Sequence, residues 1–194
     1  MDETMRNLTK AFIGESMARN RYTFYAKVAK GEGFEQIADI FLSTAENERE
    51  HASWFFKHLT LLMKAAGGEF DEITVEASAP TTLGTTLENL KAAMAGEVHE
   101  HTKLYPAFGD VAEREGHPEV AKRFREVGKA EEHHAQRFGK LITVVESGTV
   151  FKKDREVWWV CRECGRLYYG KEPPKICPTC SHPASYYQLF CEEF

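Results

Sequence analysis

The feature that most limits what this chain can fold into is a pattern written twice. Gly14-Glu15 is followed seven residues after the glutamate by Tyr22, and Gly96-Glu97 is followed eight residues after it by Tyr105. A Glu-x-x-His comes later in each half, Glu48/His51 and Glu131/His134, 33 and 34 residues beyond Glu15 and Glu97. Residues three, four and seven apart share a helix face. By that rule Glu15 lies with Leu8, Ala11, Phe12, Ala18 and Tyr22, and Glu48 lies with Phe41, Ala45, Ala52 and Phe55. Glu97 lies with Leu90, Ala93, Met94 and Leu104, and Glu131 with Phe124, Val127, Ala135 and Phe138. All four carboxylates are therefore expected to point into the core of a helical bundle. Buried together, they cannot all stay ionised without compensating positive charge, which two metal ions would supply. One Glu from each of two helices plus a Glu-x-x-His from each of two others is the ligand set of a di-iron or di-manganese carboxylate bundle. Glu100, one turn after Glu97, adds a fifth inward carboxylate.

Any one of these residues alone is more often a solvated surface group. Six at matched separations on four apolar faces are not explained that way. Glu46, Glu50, Glu132, His99 and His133 fall off those faces and are expected in solvent, and His101 shares the Glu97 face a turn beyond it. Periodicity predicts a first helix over about Thr4 to Lys30, stopped by Gly31-Glu32-Gly33, and a second over about Phe34 to Ala66, ended by Gly67-Gly68. Glu69 to Gly84 contains Pro80 and no helical period, so it reads as a long crossover between two helical hairpins. Thr85-Thr86-Leu87-Glu88 offers a capping box for a third helix, with a kink expected at Pro106. A fourth follows Gly116-His117-Pro118 and runs to Gly148.

All five cysteines follow residue 160. Cys161-x-x-Cys164 and Cys177-x-x-Cys180, with twelve residues between them, form two knuckles of a four-sulfur tetrahedral site for iron or zinc. The stretch from Val150 to Phe194 is too short for an independent core, so Trp158, Trp159, Tyr168, Tyr169, Tyr186, Tyr187 and Phe190 are expected to pack around that metal. Cys191 has no Cys-x-x-Cys partner and reads as a small core residue or an unligated thiol. The expected units are 1–148 and 149–194. With 194 residues, 28% charged, and a net charge of −5, the chain has room for a core and a small appended domain but no electrostatic footprint for nucleic acid. No leader-like start and no membrane-length apolar run occurs, so a cytoplasmic location is expected.

Together with Gly14-Glu15-Ser16-Met17-Ala18-Arg19-Asn20-Arg21-Tyr22, Glu48-Arg49-Glu50-His51, Gly96-Glu97-Val98-His99-Glu100, Leu104-Tyr105-Pro106, Glu131-Glu132-His133-His134 and Cys180-Ser181-His182-Pro183, these motifs resemble the rubrerythrin family nearly end to end. The resemblance implies a mainly α protein, a ferritin-like four-helix bundle followed by a small rubredoxin-like metal-bound β/loop domain. It implies a di-iron centre in which Glu48 and Glu131 bridge, Glu15 is a terminal ligand of one iron, and Glu97 and His134 are terminal ligands of the other. His51 and Glu100 would be alternative ligands that exchange with oxidation state, and Tyr22 and Tyr105 hydroxyls that orient carboxylates. It also implies a single iron at Cys161, Cys164, Cys177 and Cys180. The implied reaction is reduction of hydrogen peroxide to water, with electrons from rubredoxin or an NAD(P)H-dependent rubredoxin reductase, in a homodimer. The lack of a Gly-rich dinucleotide loop suits an external electron source. His101 departs from the family pattern, where an aromatic such as Tyr is expected. Two other functions use the same parts: a ferroxidase or iron-storage protein, against which the four-cysteine tail argues, and a non-enzymatic electron carrier or peroxide sensor with zinc in that tail.

Overall fold

The computed structural model describes residues 2–67 and 72–192; Gly68, the start of the crossover at Glu69, and Phe194 lie outside the described residues. Helix α1 spans Glu3–Gly31 and α2 spans Glu35–Ala65. Asp2 caps α1 by accepting from the Met5 N–H at 2.9 Å. Between the two helices Gly33 takes a left-handed φ of +82°, and the Phe34 N–H reaches back to the Ala29 carbonyl at 2.8 Å, which closes α1. Residues 72–85 carry no regular structure, as a crossover should. The capping box forms: the Thr85 side chain accepts from the Glu88 N–H, and the Glu88 side chain accepts from the Thr85 N–H.

The third arm of the bundle departs from expectation. It consists of α3, Thr86–His99, then a π-helical turn, Glu100–Leu104, then α4, Tyr105–Arg114. Just before Pro106 the backbone widens, and the Tyr105 N–H bonds to the Glu100 carbonyl five residues back. Pro106 has no N–H to offer the Thr102 carbonyl, so one bond that would hold a regular helix there is missing. The wider turn takes up one extra residue. That is the residue by which the Glu97–Tyr105 interval exceeds the Glu15–Tyr22 interval, and with it absorbed both tyrosines point inward, each 1% exposed. Helix α5, Pro118–Glu146, starts with proline in its first turn.

Two apolar layers hold the four arms together. One contains Tyr22, Tyr25, Phe41, Leu90 and Phe138. The other contains Leu8, Phe55, Tyr105, Phe124 and Val127. Phe41, Phe55, Phe124 and Phe138 are wholly buried, each contributing about 1.5–3 kcal/mol. On every arm the inward glutamate lies between the stretches that feed the two layers, so the four carboxylates share one polar level sealed above and below.

After the bundle, β1 (Val157–Cys161), β2 (Leu167–Gly170) and β3 (Tyr187–Leu189) form an antiparallel sheet in the order β2-β1-β3. Trp159, Cys161, Cys177 and Tyr187 make its buried cluster. Not all the aromatics join it: Trp158 and Tyr169, paired across the strands on the side that faces water, are 50% and 51% exposed, and Tyr168 on the edge strand β2 is 39% exposed although it pairs with the buried Trp159. The tail sits against the start of α2, where Phe151 stacks on Phe34 with centroids 6.3 Å apart and Arg162 hydrogen-bonds Asp39. Among the described residues, no helix is long and apolar enough to cross a membrane.

Candidate metal centre

The six bundle residues with matched spacing converge. His51 Nδ1 lies 2.9 Å from Glu131 Oε1, 3.0 Å from Glu48 Oε2 and 3.9 Å from Glu15 Oε2. His134 Nδ1 lies 2.8 Å from Glu131 Oε2, 3.2 Å from Glu48 Oε1 and 3.4 Å from Glu97 Oε2. Glu48 and Glu131 thus give one oxygen to each donor group, while Glu15 and Glu97 each serve one. Donor atoms about 3 Å apart match the edge of a coordination shell with bonds of about 2.1 Å.

Hydrogen bonding separates the two oxygens of each outer carboxylate. The Tyr22 hydroxyl donates to Glu97 Oε1 and the Tyr105 hydroxyl donates to Glu15 Oε1, so each hairpin orients a carboxylate of the other. Glu15 Oε2, Glu97 Oε2, Glu48 Oε1, both Glu131 oxygens and His134 Nδ1 are buried with no hydrogen-bond partner. Orphaned buried acceptors facing one another are costly, and cations satisfy all of them at once. The residues present therefore fit a pair of metal ions.

The electrostatics agree. Burial, reinforced by the Glu48 carboxylate against the pull of His51, pushes Glu15 up to about 8. Glu97 is also raised, first by burial. Burial opposes a charge on His134, yet Glu131, Glu48 and Glu97 carry it up to about 11, and His51 is raised further by Glu131, Glu15 and Glu48. Burial and then Glu97 hold the Tyr22 hydroxyl well above its usual range, and burial and then Glu15 do so for Tyr105, so both remain donors. Metal-free, the site stores protons that metal ions displace.

Glu100 stands beside these groups and outside both. It lies on the π turn, partly exposed, and its carboxyl is raised well above the usual range by burial and then by Glu15, Glu97, Glu131 and Glu48. Glu46, Glu50, Glu132, His99 and His133 are exposed, as their helix faces require. His101 turns back on its own helix: Nδ1 donates to the Glu97 carbonyl at 2.9 Å, bracing the segment that carries Glu97. The sequence reading missed Arg137, one turn past His134, whose Nη2 donates to Thr44 Oγ1 at 2.6 Å. Thr44 is wholly buried one turn before Glu48, so this bond ties α5 to α2 beside the centre. The three- and four-residue offsets were the available signal.

In the tail, Cys161 Sγ is 3.7 Å from Cys180 Sγ, and Cys164 Sγ is 3.6 Å from Cys177 Sγ. These are too long for disulfides and match the edge of a tetrahedron with metal–sulfur bonds of about 2.3 Å. Each knuckle turns through a left-handed residue, Gly165 at φ +73° and Ser181 at φ +62°, whose N–H bonds to the Cys161 or Cys177 carbonyl. The neighbouring Tyr187 hydroxyl, buried and without another partner, pushes the Cys177 thiol down to about 6. Cys191 is exposed and stands apart from this site.

Residues 6–142 match the family model "Rubrerythrin", and residues 159–188 match "Rubrerythrin, rubredoxin-like domain". A putative rubrerythrin of Methanocaldococcus jannaschii is 57% identical, covering 100% of this chain and 96% of its own. Rubrerythrin of Nitratidesulfovibrio vulgaris is 41% identical over 96% of this chain and 93% of its own. Among solved structures, partially reduced nigerythrin superposes with a TM-score of 0.64 at 27% identity, covering 96% of this chain and 86% of that one. Fully reduced, all-ferrous nigerythrin gives 0.62 at 29%, with the same coverage. Matched along nearly its whole length, and bearing both donor sets in the geometry they need, the chain belongs to the rubrerythrin family, as a di-iron bundle protein with a rubredoxin-like iron site.

Proposed function

We propose that this chain reduces hydrogen peroxide to water at its di-iron centre, with electrons passing through the four-cysteine iron from rubredoxin or an NAD(P)H-dependent rubredoxin reductase. It acts in the cytoplasm as a homodimer in defence against oxidative stress, and it divides into a catalytic unit, 1–148, and an electron-delivering unit, 149–194. The observation that carries this reading is the pairing, in one chain, of two donor groups sharing Glu48 and Glu131 with a four-sulfur site. A protein that only oxidised and stored iron would have no use for the second site.

The two bundle irons, when bound, supply the two electrons that peroxide reduction consumes. The residues do the rest. Glu48 and Glu131, shared by the two donor groups, would hold both ions, Glu15 would hold one, and Glu97 and His134 would hold the other. Tyr22 and Tyr105, through their O–H groups, fix which oxygen of each outer carboxylate faces inward. On the Glu15 side His51 and Glu100 would be alternative ligands, since imidazole suits a reduced ion and hard anionic oxygen an oxidised one. Two protons are needed as well; in the metal-free chain burial and the surrounding carboxylates raise the Glu100 carboxyl, and when it is not a ligand its partly exposed place at the edge of the centre suits it to carry one in.

Metal analysis of protein purified without oxygen, combined with peroxide consumption driven by an external reductase, tests the reading. About three irons per chain and reductase-dependent turnover are expected. A chain cut after Ser147 should keep two irons and lose efficient re-reduction. Zinc in the cysteine site of natively expressed protein, or undiminished turnover in the truncated chain, would remove the electron path.

A further inference from the structure

Between α1 and the third arm lies a cavity of about 460 Å³, roofed by residues 76–80 of the crossover. Gly14 and Arg21 of α1 line one wall, and Gly96 and Glu100 line the other. Gly14 and Gly96 immediately precede Glu15 and Glu97, which hold opposite ends of the metal centre, so the cavity abuts that centre on this side. Glu15, Glu48, Glu97 and Glu131 are sealed at 0–1% exposure, whereas Glu100 is partly exposed and lines this cavity.

Neither glycine has an ordinary structural reason to be glycine. Both sit inside helices, where glycine is less favourable than alanine. A Cβ built on Gly14 meets nothing within 4 Å, and one on Gly96 meets only Arg21 Nη2 at 3.9 Å. Their φ angles are not left-handed either. What the missing side chains preserve is the open space of this cavity. Arg21 borders that space with its Cζ 5.6 Å from the Tyr22 ring centroid, and its Nε and Nη1 are buried without a hydrogen-bond partner. A small molecule with oxygen acceptors is the ligand that such donors suit.

We propose that this cavity is the passage by which the small oxidant reaches the centre, with Glu100 at its inner end, Arg21 as a polar wall, and Gly14 and Gly96 setting the size admitted. The proposal rests on the peroxide reading for the identity of the oxidant, but its test does not require turnover. The competing way in is the edge of His51, whose side chain is 13% exposed.

The probe is azide, mixed by stopped flow with the full-length, iron-loaded, oxidised protein and followed through the absorbance of the bundle irons. In Gly14→Leu and Gly96→Leu the added side chain projects into the cavity. Association and dissociation should both slow by at least about tenfold, leaving Kd unchanged, while Gly14→Ala stays within about twofold of the parent. A barrier in a passage slows both directions alike, whereas damage to the centre changes Kd or iron content. Wild-type association rates in both leucine variants at full iron content would overturn the proposal and favour the His51 edge. So would a changed Kd with unchanged rates of association. Slowed azide binding in a protein that never consumes peroxide would leave the passage standing and sink the peroxide reading.

Discussion

Removing the metals should leave a bundle whose stability falls as pH rises. In the folded chain Glu15 is pushed up to about 8 from 4.5, by burial first. A raised carboxyl contributes stability that is fully present below about 4.5 and is lost as pH climbs through about 8. His134, carried by its carboxylate neighbours against burial from 6.5 to about 11, does the same in a higher window. Between about pH 6.5 and 8, therefore, Glu15 and His134 together bind at least one proton more in the folded metal-free bundle than in the unfolded chain. One excess proton is worth about 1.4 kcal/mol per pH unit, so this interval costs about 2 kcal/mol for one proton and about 4 kcal/mol for two. Because the site's groups interact, one proton is the floor. In a chain of this size each kcal/mol moves Tm by roughly 2–4 °C, which sets a fall of at least about 4 °C. Far-UV circular dichroism on chelator-treated protein would follow α1 to α5, since among the described residues the tail has no α-helix. Iron-loaded protein should show little of this trend, because the cations keep the carboxylates ionised. Glu15→Gln should weaken the trend in the metal-free chain. A metal-free Tm that is flat or rising over the interval would refute the reasoning.

Glu48→Ala takes an oxygen from both donor groups and should lose the ordered pair of irons, whereas Glu46→Ala, on an exposed face, should keep it; equal iron loss would discredit the face assignment. Glu100→Ala should raise the reduction potential of the di-iron centre and His51→Ala should lower it, since one removes a hard anionic oxygen and the other an imidazole. Spectroelectrochemical titration, with iron content checked and the cysteine-bound iron as internal reference, measures both; shifts of the same sign would rule out ligand exchange. Tyr187→Phe removes a buried hydroxyl beside Cys177 and should lower the potential of the cysteine-bound iron, because sulfur loses a donor that stabilises the reduced, more negative site. An unchanged potential in that variant would show the hydroxyl to be electronically silent.

Much of the centre is legible in the amino-acid order because burial of a helix face is a local, periodic property. Offsets of three, four and seven residues suffice to turn Glu15, Glu48, His51, Glu97, Glu131 and His134 inward and to leave Glu46, Glu132 and His133 in water. The cysteine knuckles are readable for a similar reason, since a two-residue spacer itself brings paired sulfurs to one metal. The π turn was half visible. Pro106 and the eight-residue interval from Glu97 to Tyr105 both announced a disturbance, but widening and kinking relieve a missing N–H equally well in one dimension. Only the need to bring Tyr105 onto Glu15, 90 residues away in sequence, selects the wider turn.

What tertiary structure alone decided is how atoms from different arms meet. That Tyr22 orients Glu97 and Tyr105 orients Glu15, that each of Glu48 and Glu131 divides its oxygens between two histidines, and that Arg137 reaches Thr44 are all contacts between distant segments. Trp158 and Trp159 part company in the tail for the same kind of reason, one exposed and one buried, because the sheet they join has a dry side and a wet side. By itself the sequence determined which residues face the core, since helical periodicity is carried by near neighbours along the chain. Which atom of each residue faces which partner depended on the packing of separate arms, and no local period encodes it.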